Sequence, residues 1–355
     1  MNSYDQLLKN NYSQMHENLA KMRKEAWCKT TLNSPIEKAQ KRLIAEYEAD
    51  VGIQGARRAR LDRHSKRRPI QCGLTIHPGT DCAYSCIYCY ILDMGFRFEK
   101  PQPCRLSPKE LALALLYNRN FVPGRNGTYL AIGSIIEPFQ PELKSLTISY
   151  IKELAKLGNP IQFSSKSLIT SQEAITISSS CNWISPLLTI LTVDDSKARA
   201  LEPLAPSPAK RLISISNLAQ AGLKPFLFLR PLLPGVSTSD DYSNLITEAI
   251  RSGAKGVVLG GFRVTRRILK TLKKKKINVS EILRRSRAVD DRQRPIFISD
   301  LQTEIEDAFR GRTMIFRRSC CASAYSAGLK QCVHHTIGMA TKRLDSSIEV
   351  ENLDH

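Results

Sequence analysis

Asp81-Cys82-Ala83-Tyr84-Ser85-Cys86-Ile87-Tyr88-Cys89-Tyr90 spaces three cysteines as C-x3-C-x2-C, directly after an apolar, strand-like run at 71–76. Three thiolates within eight residues can wrap an iron–sulfur cube and hold three of its four irons. The fourth iron then has no protein ligand, and a small molecule carrying an amine and a carboxylate can chelate it. A zinc site is the alternative; it wants four ligands, and Cys72 or Cys104 would supply the fourth. Cys28, Cys104 and Cys181 stand in no motif and read as packing residues.

Outward from this loop the chain alternates short apolar runs with segments of helical periodicity. The strand-like runs are 71–76, 129–135, 160–164, 187–192, 225–229 and 256–259; the helical segments include 108–119, 141–157, 208–221 and 240–251. Ser107-Pro108 and Ser207-Pro208 each place an N-cap before a proline at the first helical position, while Gly158 and Gly253 fit helix stops. Six strand–helix repeats predict an α/β fold, a partial (β/α)6-type barrel with its active site at the C-terminal ends of the strands. Residues 69–294 form that core. Residues 1–68 are expected to be a helical, basic N-terminal extension, periodic over 13–47 and ending in the arm 57–68. Residues 295–355, with Cys320, Cys321 and Cys332, are expected to cap the mouth.

The 355 residues are 42% apolar, enough for a sizeable core, which excludes disordered and collagen-like classes. No run approaches the roughly 18 apolar residues of a spanning helix, and residues 1–14 are polar without a signal core. A cytoplasmic, reducing location with no membrane partner follows as an expectation. Charge is less ordinary: 53 basic against 33 acidic residues give +20. Residues 53–68 hold seven Lys/Arg against Asp62 alone, and 262–294 hold thirteen against Glu281, Asp290 and Asp291. These two windows contribute +6 and +10. Such concentration points to a nucleic acid partner, DNA ahead of RNA, the alternative being a solvated helix face and a basic tail. Neither run is interleaved with aromatic residues, which suits phosphate contact better than base stacking.

With Tyr88 immediately before the last cysteine, the motif resembles the radical S-adenosylmethionine superfamily. Further segments resemble the branch that contains spore photoproduct lyase and the DNA repair photolyase-like proteins. They are Gly133-Ser134-Ile135-Ile136-Glu137-Pro138-Phe139-Gln140-Pro141-Glu142, Ser164-Ser165-Lys166-Ser167, the strand end at Thr192, Leu201-Glu202-Pro203 with Pro206-Ser207-Pro208, and Arg230-Pro231-Leu232-Leu233-Pro234-Gly235. The resemblance covers roughly 71–260. It implies a [4Fe–4S] cluster on Cys82, Cys86 and Cys89 that passes an electron, received from a donor such as ferredoxin or flavodoxin, to S-adenosylmethionine. The resulting 5′-deoxyadenosyl radical abstracts hydrogen from a substrate; the cofactor performs the hard chemistry and the protein positions it. On this reading the enzyme repairs a lesion or modifies a nucleotide. The other readings are a radical enzyme acting on a peptide or small molecule, and a nucleic-acid-binding protein with a structural or redox-sensing cluster.

The same resemblance assigns Ser134 to the amine and Lys166 to the carboxylate of S-adenosylmethionine, and gives Tyr88 and Tyr90 a part in returning hydrogen to the cofactor. One departure stands out. Spore photoproduct lyase carries a hydrogen-donating cysteine just before the position of Ser134, whereas Ala131-Ile132-Gly133 has none. Cys320 or Cys321 is expected to bring a substitute thiol over the mouth, or to bind a second metal with Cys332, His334 and His335; inert packing is the alternative.

Overall fold

The computed structural model describes residues 35–69 and 73–329. Cys28, Cys72, Cys332, His334, His335 and the start of the expected N-terminal helix lie outside them. Seven strands form one parallel sheet, neighbours in the order β1 (Leu74–Ile76), β4 (Leu130–Ile132), β5 (Ile161–Ser165), β6 (Ser185–Thr189), β7 (Phe226–Leu229), β8 (Gly256–Leu259) and β11 (Met314–Phe316). The short ribbons β2–β3 (Gly79–Thr80 with Gln102–Pro103) and β9–β10 (Arg263–Val264 with Arg294–Pro295) lie beyond the ends of β1 and β8. The expected α/β architecture is present, because each strand is followed by a helical return that keeps the next strand parallel. The seventh strand is the difference. Met314-Ile315-Phe316 is too short to show periodicity, and its pairing with Gly256-Val257-Val258 makes it a strand.

Local signals fix the helices. Ser107 caps the helix Pro108–Leu116 in a reciprocal box with Glu110, and Ser207 accepts from the Lys210 N–H to start Pro208–Gln220. Thr170 with Glu173, and Thr238 with Asp241, form two more boxes. Leu188, Leu227, Leu229 and Val257 bury one face of the sheet in the main core with these helices, while Leu187, Phe226, Phe228 and Val258 enclose Ala322 of the helix Ser319–Ser326 on the other. Strands buried on both faces read as continuous apolar runs, which is why they were visible in the sequence. Among the described residues no helix is long and apolar enough to cross a membrane.

The basic arm is docked from its start. The helical segment Pro35–Leu61, broken by a kink at Gly52 (φ 66°, ψ 178°), runs past Tyr47 to include Arg57, Arg58 and Arg60, and it packs on Pro108–Leu116. Tyr47 donates to Glu153 at 2.7 Å, Tyr117 donates to Glu48 at 2.6 Å, and Arg58 pairs with Glu110. Arg60 lies over the Tyr117 ring at 4.5 Å. Beyond the helix, Asn118 donates to the carbonyls of His64 and Arg67 at 2.7 and 2.6 Å. Arg57, Arg63, Lys66 and Arg68 remain exposed.

Candidate active site

The cysteine loop leaves the C-terminal end of β1 and is pinned from four sides. Cys82 N–H donates to Arg97 O at 3.1 Å, Ala83 N–H to Gln140 Oε1 at 2.8 Å, Ile87 N–H to Leu201 O at 2.9 Å, and Arg267 to Cys89 O at 2.6 Å. Asp81 and Ser85 take positive φ of 65° and 53°, so the loop turns twice within five residues. Arg267 also clasps both oxygens of Asp93 at 2.7 Å, a bidentate pair that fixes the loop's exit.

Burial pushes the Cys82 thiol up to about 11, and it raises those of Cys86 and Cys89 as well. Thiolates there need compensation, and the site contains it. The Tyr84 and Glu137 N–H groups point at Cys82, the Ile91 and Tyr90 N–H groups at Cys89, and the Lys166 charge favours the thiolate at all three. Among the described residues no three ligating side chains converge as for a single metal ion. A cube asks for no such convergence, since each thiolate takes a different iron. The donor set, its hydrogen bonds and the adjacent cation therefore fit a [4Fe–4S] cluster. Cys104 is half-buried against the core and Cys181 is buried, as packing residues are.

Lys166 follows β5 and is held from beneath by Glu137. That buried carboxylate accepts from Lys166 N–H at 2.7 Å, Ser165 Oγ at 2.7 Å, Ser167 Oγ at 3.1 Å and Phe139 N–H at 3.2 Å. On the other side lies Glu202, 2% exposed, to which Tyr88 donates its hydroxyl and Arg211 its guanidinium. Lys166 Nζ is 3.9 Å from Glu202 and 5.9 Å from the centre of the Tyr88 ring. Burial works against the Lys166 ammonium, but Cys86 and Glu202 hold its pKa above the usual lysine value. Burial and Glu202 likewise keep Tyr88 protonated well past the usual phenol range.

Ser134 stands exposed beyond β4, on the strand next to β5. Its carbonyl accepts from Tyr90 at 3.0 Å. The missing thiol before it has a backbone cause: Gly133 has φ 92°, and an added Cβ would stand 2.4 Å from Ser164 O. No cysteine fits there without moving the neighbouring strand.

The structure thus gathers Cys82, Cys86, Cys89, Tyr88, Tyr90, Ser134 and Lys166 at one end of the sheet. It does not bring Cys320 and Cys321 to them. Their helix is bonded through Ser319 and Ser323 to Gln162, near the start of β5, at 3.5 and 2.6 Å, and Cys320 packs on Tyr129 just before β4. Gln162 lies four residues, roughly 13 Å, from Lys166 along the strand. The expected thiol over the mouth is thereby displaced to the opposite end, where the helix fills the inner face of the sheet. Sequence reasoning gave no role to Glu137, Glu202, Arg211 or Arg267. The two glutamates lie inside the quoted segments, but the arginines look like any helical surface residue.

Fold and site together define a partial parallel barrel with a three-cysteine loop at the ends of its strands. Among solved structures it is similar to a variant of spore photoproduct lyase, with a TM-score of 0.53 and 15% identity over 78% of this chain and 91% of that one. It is similar also to a variant of the same enzyme with bound AdoMet and dinucleoside spore photoproduct, with a TM-score of 0.51 and 16% identity over 78% and 91%. These likenesses carry the fold. Among curated proteins the chain is 20% identical over 182 residues to the uncharacterized protein ORF301 of Acidianus two-tailed virus, covering 49% of this chain and 60% of that protein. It is 22% identical over 199 residues to the uncharacterized protein Rv2578c of Mycobacterium tuberculosis, covering 54% and 58%. The matches thus span about three fifths of these relatives' length. No family model matches.

Proposed function

We propose that the chain is a radical S-adenosylmethionine enzyme that acts on nucleic acid, by lesion repair or nucleotide modification. The observation that carries this reading is Lys166. Its largely buried ammonium sits beside three thiols, and among the described residues it has no partner within hydrogen-bond distance; Glu202, at 3.9 Å, is turned to Tyr88 and Arg211. The ammonium's three donors are not spent on a protein hydrogen bond among these residues and remain available to an anionic ligand. The carboxylate of the methionyl group of S-adenosylmethionine would be that anion, and Ser134 on the neighbouring strand would receive its amine. Bound there and reduced by an external ferredoxin or flavodoxin, a [4Fe–4S] cluster on Cys82, Cys86 and Cys89 supplies one electron for cleavage of the cofactor's carbon–sulfur bond.

The chain's own residues then act as follows. Lys166 orients the cofactor through its carboxylate, while Glu137 fixes the backbone from which Lys166 extends. Glu202 holds the Tyr88 hydroxyl proton away from the thiols, and Tyr90 steadies the Ser134 carbonyl. With Gly133 closed to a side chain, hydrogen returns through Tyr88 and Tyr90 or through the substrate itself, not through a thiol at that position. The exposed cations of 57–68 and 262–294 support a polyanionic substrate.

Anaerobic reconstitution tests the reading. About four irons per chain and 5′-deoxyadenosine from S-adenosylmethionine, increased by UV-damaged DNA or by RNA, are the expected results. One equivalent of zinc without iron would overturn it. Turnover indifferent to any nucleic acid would leave the enzyme but remove this substrate class, in favour of a peptide or small molecule.

A further inference from the structure

The basic run 262–294 contains no interleaved aromatic residue, yet the fold brings one to it. Phe297 N–H donates to Arg285 O at 3.0 Å, Ser286 bridges Ile296 antiparallel, and Arg285 Nη1 donates back to Phe297 O at 3.3 Å. At 62% exposure, Phe297 is the most exposed aromatic side chain among the described residues. It lines an open cleft of about 310 Å³ with Arg284, Arg285, Ser286, Arg287 and Asp300.

The charges in this cleft are not equivalent. Arg285 is nearly buried and committed to Asp300 at 2.7 Å and Glu281 at 3.3 Å, so it forms a fixed wall. Arg284 pairs with Glu281 at 2.7 Å. Both carboxylates are thereby matched, and Arg287, exposed and without a carboxylate partner among the described residues, holds the remaining charge. The cleft also stands on the same rim as the cysteine loop. Ile296 N–H donates to Phe262 O, just past β8, and Glu281 lies so near Gly235, past β7, that an added Cβ there would be 3.0 Å from its own Cβ.

We infer that this cleft binds an unpaired nucleotide, with the base stacked on Phe297 and a flanking phosphate on Arg287. The inference rests on the nucleic acid reading above and narrows it to single-stranded or locally unpaired substrate. An uncovered phenyl face beside an unmatched guanidinium complements a ligand with a flat π face and an adjacent anion, which every nucleotide provides. A duplex hides its base faces in its own stack; an extruded or single-stranded base offers one.

The test measures binding of a labelled thymidine oligonucleotide, the corresponding duplex and a phosphotyrosine peptide by the reconstituted full chain. Phe297→Ala is expected to weaken single-strand binding roughly tenfold, with Phe297→Trp retaining it and Phe297→Leu not. Arg287→Gln is expected to flatten the salt dependence by about 0.7 log units per log unit of salt, the share of a single neutralised phosphate. Formation of 5′-deoxyadenosine without nucleic acid should be unchanged in all four variants. Wild-type affinity in Phe297→Ala, equal rescue by Leu and Trp, or preference for the peptide would each overturn the inference while the enzyme reading stands. A wild-type protein that binds no nucleic acid at low salt overturns the substrate reading, and this inference with it.

Discussion

Arg211 and Lys273 carry the same charge in opposite electrostatic settings. Arg211 is 1% exposed, and its guanidinium bonds Pro206 O at 2.8 Å, Thr189 O at 3.0 Å and the Glu202 carboxylate. Lys273 to Lys276 stand in water at the end of helix Arg266–Lys274, whose Ile268, Leu269 and Leu272 are buried. In the first setting each charge has a matched partner and an error of one group is felt in full. In the second, solvent and salt screen every contact, so the sum of charges matters and individual positions are interchangeable. Cofactor chemistry needs the first kind of site; a polyanion needs only the second.

The largest break in this contrast is at the thiols. Replacing Cys82, Cys86 or Cys89 by Ala should abolish cluster assembly, read as loss of bound iron and of the brown absorption. Next, Arg211→Met leaves Glu202 buried without its guanidinium and should cost about 3–5 kcal/mol in urea unfolding, with part recovered by adding Glu202→Gln. By contrast Arg266→Met, on the exposed face, should stay within about 0.5 kcal/mol.

His77 tests the buried side by pH. Burial, the Arg67 guanidinium and His64 push its pKa down to about 3, from an ordinary 6.5, and its Nδ1 is buried without a hydrogen-bond partner. The unfolded chain therefore takes up this proton first. The stability His77 contributes is complete above pH 6.5 and is lost as pH falls toward 3, by at most about 1.4 kcal/mol per pH unit. A His77→Gln variant should flatten the urea-midpoint profile in that window; an unchanged profile would remove His77 as its source.

Smaller again is the effect on cofactor binding. Lys166→Ala should weaken S-adenosylmethionine binding roughly tenfold or more, and Ser134→Ala less, with the iron content unchanged, since a charge-assisted contact contributes about 1.5–3 kcal/mol. Smallest is the exposed side. Neutralising Arg57, Arg63 and Arg68 together, or Lys273 to Lys276, should leave stability and iron unchanged and flatten the salt dependence of duplex binding by about 0.9 log units for each phosphate no longer neutralised. Arg58 and Arg60 make poorer choices, because Glu110, Glu48 and Tyr117 hold them to the fold.

Much of the fold was legible because its signals are local. The six expected strands match β1, β4, β5, β6, β7 and β8 within a few residues, and the Ser-Pro caps start helices where expected. The arm 57–68, expected as the end of a helical extension, is helical as far as Leu61, and its outward charges hide an inner face anchored by Ala59 and Glu110 that charge counting did not reveal. Cys320 and Cys321 were misplaced because their helix is set by shape, as the filler of the sheet's inner face, and no spacing encodes that.

By itself, then, the sequence determined the order of strands and helices, the three thiols on one loop, and Ser134 and Lys166 at successive strand ends. These depend on residues close together in the chain, whose spacing and turn chemistry act before any packing. Tertiary structure alone decided that Glu202 is shared by Tyr88, Arg211 and Lys166, that Glu137 supports the Lys166 backbone, and that Met314–Phe316 completes the sheet. It also decided that Phe297 returns to Arg285 and Arg287. Those contacts join distant segments, and a buried carboxylate or an uncovered ring acquires its chemistry only from the groups the fold places around it.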